Sequence, residues 1–109
     1  MTDWIAIAQT EEIPRLGARK LLAGNHEIAV FRTGNDQIFA VRDRCPHRGG
    51  PLSQGIVHGQ AVSCPLHNWK IDLQSGDVQG PDQGCVHTYE TKVDDGVIYL
   101  NLSSIETAA

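Results

Sequence analysis

Two short segments, Cys45-Pro46-His47-Arg48-Gly49-Gly50 and Cys64-Pro65-Leu66-His67-Asn68-Trp69, each bring a thiol and an imidazole within three positions of one another. On a loop stiffened by proline, with no hydrogen-bonded ladder to maintain, two such groups can point at a common centre. Sixteen residues separate His47 from Cys64, and they read as a turn followed by short strand material. That is enough chain to lead back to a second loop tip lying beside the first. Cys45, His47, Cys64 and His67 are therefore the candidate ligands of one metal centre. A metal site specifies ligand identity, count and geometry together, so a fold carrying these loops must hold their tips side by side.

Zinc takes two cysteines and two histidines readily, which makes a structural zinc site the first reading to weigh. Zinc modules of that ligand set usually pair their cysteines in one knuckle and their histidines in another, whereas each loop here mixes the two types. The pattern Cys-x-His, sixteen residues, Cys-x-x-His resembles instead that of Rieske [2Fe–2S] proteins, in which two histidines replace two cysteines on one iron. The resemblance implies that Cys45 and Cys64 hold the buried iron and His47 and His67 the outer one. Gly49 and Gly50, lacking side chains, would let backbone N–H groups approach the sulfides. Gly50 and Leu66 stand where respiratory-complex members of the family carry a loop-bridging cysteine pair, and Asn68 and Trp69 replace the usual hydroxyl donors. A low-potential, ferredoxin-like centre is the expectation.

A chain of 109 residues with 40% apolar content suits a single domain, 1–109, with one modest core. The net charge of −4 offers no basic footprint for nucleic acid, and a weakly acidic surface would suit docking to a protein partner. No apolar run approaches the length of a membrane span, and Met1-Thr2-Asp3-Trp4 lacks the charged start and apolar core of a signal peptide. A cytoplasmic location is expected, and three cysteines are too few for a disulfide framework.

No window shows an apolar period of 3.6, so the chain reads as all-β. Trp4 to Ala8 is an edge strand that leads into an acidic loop at Glu11-Glu12-Ile13-Pro14. Arg19 to Ala23 and His26 to Arg32 flank Gly24-Asn25 as a hairpin, and Gln37 to Asp43, with Phe39 and Val41 on one face, delivers the chain to Cys45. A further hairpin, Ile56-Val57-His58 and Ala61-Val62-Ser63, separates the two ligand loops. Trp69, Ile71 and Leu73 then alternate with Lys70 and Asp72 as a half-buried strand. Residues 80–84 form a loop. Cys85 to Val93 and Val97 to Leu102 make the last hairpin around Asp94-Asp95-Gly96. The expectation is roughly nine or ten short strands in layered antiparallel sheets. By the resemblance, residues 44–70 form a small cluster-binding subdomain at one end.

Three runs, Cys45–Val57, Cys64–Leu73 and Val78–Glu90, are similar to the small subunit of NAD(P)H-dependent assimilatory nitrite reductase. The third run holds none of the four candidate ligands, so its match is independent of theirs. Some members of that family lack the cluster ligands; this chain keeps all four. The resemblance implies a non-catalytic electron-transfer subunit serving a large subunit with flavin, sirohaem and an iron–sulfur cluster, which reduces nitrite to ammonium. The same ligand spacing serves free-standing Rieske ferredoxins, which carry electrons from a reductase to an aromatic-ring hydroxylating dioxygenase. A non-redox module with zinc or no metal is the third alternative.

Outside the two loops the reading is structural. Cys85 is expected to be a small buried apolar group at a strand start. His26, His58 and His87 are scattered and are expected to be at the surface or hydrogen-bonded. Trp69 is expected in the core beneath the centre. Arg48 is a candidate contact for an acidic partner.

Overall fold

Four consecutive residues, Ile28, Ala29, Val30 and Phe31, are each no more than 2% exposed, and this run decides the layering. Successive side chains of a strand point to opposite faces, so an unbroken buried run needs cover on both sides. The computed structural model describes residues 4–23, 26–44, 51–64, 69–78 and 84–101, and supplies that cover from two flanking sheets.

The described residues hold ten strands: β1 (Trp4–Gln9), β2 (Ala18–Ala23), β3 (His26–Arg32), β4 (Ile38–Arg42), β5 (Ile56–His58), β6 (Ala61–Ser63), β7 (Lys70–Asp72), β8 (Thr88–Tyr89), β9 (Thr91–Asp94) and β10 (Val97–Asn101). They form three antiparallel sheets in the orders β2-β3-β4-β8, β1-β10-β9 and β5-β6-β7. The first is the central layer. One of its faces contributes Ile28, Val30 and Ala40 to a core shared with Tyr89, Ile98 and Leu100. The opposite face contributes Ala29, Phe31 and Val41 to a core shared with Val57, Val62, Cys64 and Ile71. Phe39 packs against the same cluster as Val41, as the alternation in that strand requires.

The all-β expectation holds, and the hairpins fall where the turn residues place them. β2 and β3 pair from Ala18↔Phe31 to Ala23↔His26, β5 and β6 meet across Gly59-Gln60, and β9 and β10 across Asp95-Gly96. Asp95 and Gly96 have φ of 52° and 77°, the paired left-handed geometry of a hairpin turn that matches strand twist. β1 lies at a sheet edge, as expected, with a register irregularity between Ala6 and Ala8. The expected acidic loop contains a single 3-10 turn, Thr10–Glu12.

One expected strand is divided. Cys85 makes only an isolated bridge with Asp77, and the segment ending at Val93 separates into β8 and β9, which belong to different sheets. Tyr89 pairs with Ala40 in the central layer, whereas Thr91 pairs with Leu100 in the outer one. Glu90 is the crossing point, and its carbonyl accepts from Asn101 N–H at 3.0 Å. The expected loop at 80–84 and the tail beyond Asn101 fall almost wholly outside the described residues, Gly84 excepted.

Candidate metal centre

Of the four candidate ligands the structure describes Cys64; Cys45, His47 and His67 lie outside the described residues, as do Arg48, Gly49, Gly50, Leu66 and Asn68. What it shows are the roots of both loops. Cys64 follows β6 and Trp69 precedes β7, and Cys64 N–H donates to the Trp69 carbonyl at 2.7 Å. This bond extends the β6–β7 ladder by one step beyond Ser63↔Lys70, so Cys64 and Trp69 stand paired at the root of the second loop. The Cys64 side chain is 1% exposed in a cluster with Leu52, Val62, Ile71 and Leu73, and Trp69 packs partly buried against that cluster.

Among the described residues, no backbone hydrogen bond joins the two ends of the first loop. Its root has a carboxylate instead. Asp43, 3% exposed, stands two residues before Cys45 and accepts hydrogen bonds from Ser53 N–H (2.7 Å) and Ser53 Oγ (2.8 Å). Its own N–H donates to the Glu27 carbonyl at 2.8 Å, which ties the chain to β3 as it leaves β4. Ser53 sits in a 3-10 turn, Leu52–Gln54, anchored by the fully buried Leu52. Residues 45–50 are thus bracketed by one buried carboxylate that grips the chain on the far side of the loop.

Gly55 brings the two roots together. A Cβ there would collide with the Ser63 carbonyl oxygen and come within 2.9 Å of Val62 Cγ2. Ser63 immediately precedes Cys64, so the exit of the first loop lies directly against the entry to the second. The arrangement is suited to two loops ligating one centre. The donor in view also fits a metal: thiolate is the ligating form of cysteine, and its charge in an apolar cluster would be compensated by a bound cation.

Among the described residues no group of three or more His, Cys, Asp or Glu gathers at a metal site, so no competing centre stands there. Cys85 departs from expectation, being exposed rather than buried. With only an isolated bridge at its backbone, it is not carried into either core. His58 is exposed and its Nε2 lies 2.7 Å from Ser63 Oγ, while the His87 ring meets Tyr89 edge-on at 4.8 Å. His26 differs from its reading, since its Nδ1 is buried without a hydrogen-bond partner among the described residues. Trp69 is partly buried against the core cluster that holds Cys64. Asp43, Ser53 and Gly55 were not picked out from sequence. An aspartate between Arg42 and Arg44 reads as one more surface charge, and only the return of residue 53 shows that it is buried.

Three antiparallel layers, with a buried cysteine at one loop root lying against the root of a second loop, define an all-β domain. The sequence matches the profile of the Rieske [2Fe–2S] domain family over residues 3–90, and the chain belongs to that family. It is a Rieske electron-transfer domain, and its cofactor is a Rieske-type [2Fe–2S] cluster. The anthranilate 1,2-dioxygenase ferredoxin subunit of Burkholderia cepacia is 33% identical over 103 residues, which cover 94% of each chain. The solved structure of the E. coli protein NirD is 30% identical with a TM-score of 0.77, covering 92% of this chain and 96% of that one. Protein TIC 55, chloroplastic, of Pisum sativum is 32% identical over 93% of this chain, which spans only 20% of that protein's length. The domain thus occurs both alone and as part of much longer proteins.

Proposed function

We propose that Cys45, His47, Cys64 and His67 hold the cluster, and that the chain is the electron-transfer subunit of a cytoplasmic NAD(P)H-dependent nitrite reductase that converts nitrite to ammonium. The abutment of Gly55 on Ser63 carries the ligand assignment, because it sets the two loop roots side by side. When bound, a cluster of this kind accepts and releases one electron at a time. The chain's own part is to hold Cys64 in an apolar, water-poor cluster and to brace the root of the first loop through Asp43 and Ser53. It makes and breaks no substrate bond in this reading. The partner is a larger subunit with sirohaem and flavin. That choice is supported by the likeness to NirD across nearly the whole of both chains and by the run Val78–Glu90, which holds none of the four proposed ligands.

A second reading has its own observation: the length-matched similarity to a dioxygenase ferredoxin subunit. There the chain would carry electrons from a reductase to an oxygenase. Anaerobic purification followed by visible and EPR spectroscopy of the reduced protein tests the cofactor ligation. Mixed nitrogen and sulfur ligation should lower the average g-value relative to an all-thiolate cluster, and His67→Cys should shift it back. A colourless, iron-free preparation would refute the assignment. Co-purification with a large sirohaem protein supports the nitrite reductase reading, whereas rapid reduction by a flavin reductase and transfer to a mononuclear-iron oxygenase overturns it.

A further inference from the structure

The charge of the chain is not spread evenly. Between Asp36 and Asp72 the sequence holds four cations, Arg42, Arg44, Arg48 and Lys70, against one carboxylate, Asp43. The remainder holds five cations against twelve carboxylates. Asp43 does not offset the local excess at the surface, because its carboxylate is buried and bonded to Ser53. A molecule of net charge −4 therefore carries a net positive segment, and that segment contains both ligand loops.

The register of the β5-β6-β7 sheet places part of this charge. Ile56 pairs with Ser63, and Ser63 pairs with Lys70, so the three form one row across the sheet. The neighbouring row, Val57, Val62 and Ile71, is buried. Because side chains alternate, the Ile56–Ser63–Lys70 row faces outward. Lys70 is exposed, and Ile56 at 70% is the most exposed large apolar side chain among the described residues. Ser63 Oγ is held by His58. The next outward row ends in Asp72, whose Oδ1 is engaged by the N–H groups of Gln74 (2.8 Å) and Ser75 (3.2 Å). Two of the row's residues adjoin the second ligand loop along the chain: Ser63 precedes Cys64, and Lys70 follows Trp69. Arg44, also exposed, directly precedes Cys45.

We infer that this row, with Arg44, is the docking surface for an acidic redox protein: an exposed isoleucine and lysine share one outward row, and an exposed arginine directly precedes the first proposed ligand. The inference rests on the proposed cluster and not on which enzyme it serves. A partner with an apolar spot rimmed by carboxylates is complementary to it, and steering by such a patch acts on the association rate and weakens with salt.

The test uses the reduced holoprotein and two protein electron acceptors of opposite charge in stopped flow: plastocyanin, which is acidic, and cytochrome c, which is basic. Net charge alone would repel the first and attract the second. The docking surface predicts the reverse. Raising salt from about 10 mM to about 1 M, which shrinks the screening length from roughly 30 Å to roughly 3 Å, should slow the plastocyanin reaction and speed that of cytochrome c. Lys70→Glu, Arg44→Glu and Ile56→Asp should each lower the plastocyanin rate at low salt by roughly threefold or more, and Lys92→Glu, on another sheet, should not. Equal effects of Lys70→Glu and Lys92→Glu, or a plastocyanin rate that rises with salt, overturn the inference. A preparation without the reduced-cluster spectrum fails before mixing and sinks the cofactor assignment instead, so the two failures are distinguishable.

Discussion

Asp43 does for the first ligand loop what backbone pairing does for the second. Its two oxygens accept two hydrogen bonds from one residue, which an amide cannot do without turning an N–H₂ toward a donor. Asp43→Asn should cost about 1–3 kcal/mol in urea denaturation, with iron content falling alongside, whereas Ser53→Ala, which keeps the backbone N–H bond, should cost about 0.5–1.5 kcal/mol. A second carboxylate acts far from the loops. Asp36 binds Arg15 (Nε, 2.9 Å) and Arg32 (Nε, 2.9 Å), and these hydrogen bonds, the Arg15 bond first, hold its pKa down to about 2. Because the folded value lies below the ordinary 3.8, the stability it contributes is complete above the unfolded value and is lost as pH falls through about 2. The melting-temperature gap between the wild type and Asp36→Asn should therefore be widest near pH 5 and close as pH approaches about 2. Asparagine tolerates the φ of 66° at this position, so backbone strain does not confuse the comparison.

At the scale of elements, the link between the Leu52–Gln54 turn and β6 depends on the absence of one carbon. Gly55→Ala forces apart the first-loop exit and the Ser63 backbone, where neither neighbour is the end of a flexible side chain. It should destabilise by about 2 kcal/mol or more and lower the iron bound per chain. Gly59→Ala is the control. Its φ of 61° disfavours a side chain, yet nothing lies within 4 Å, so about 1 kcal/mol should be lost with iron content unchanged. Thermal melts and iron analysis of the two variants separate strain at a turn from displacement of a ligand loop. Hairpins were legible here because glycine, asparagine and aspartate at the turns have local conformational reasons to be there. The split between β8 and β9 was not, since the chain changes sheets at Glu90, where no turn residue marks the crossing.

Across the whole molecule, β3 is covered on both faces while β1, β2, β5 and β9 lie at sheet edges. Native-state hydrogen exchange should accordingly find the slowest amides at Ala29, Val30 and Phe31, opening only with global unfolding, and faster exchange at the edges. Equal protection in β3 and β5 would show that the three sheets do not share one cooperative unit. The four-residue run Ile28–Phe31 announced a strand but not its double burial, because a short apolar run does not say how many layers cover it. Family, cofactor class and hairpin positions were local matters of ligand spacing and turn chemistry, and the linear chain determined them. Which carboxylate is buried, which glycine admits no side chain, that Cys85 is exposed, and that Ile56 shares an outward row with Lys70 were decided only in three dimensions. Each depends on what distant segments bring alongside, and sequence order does not encode such approaches.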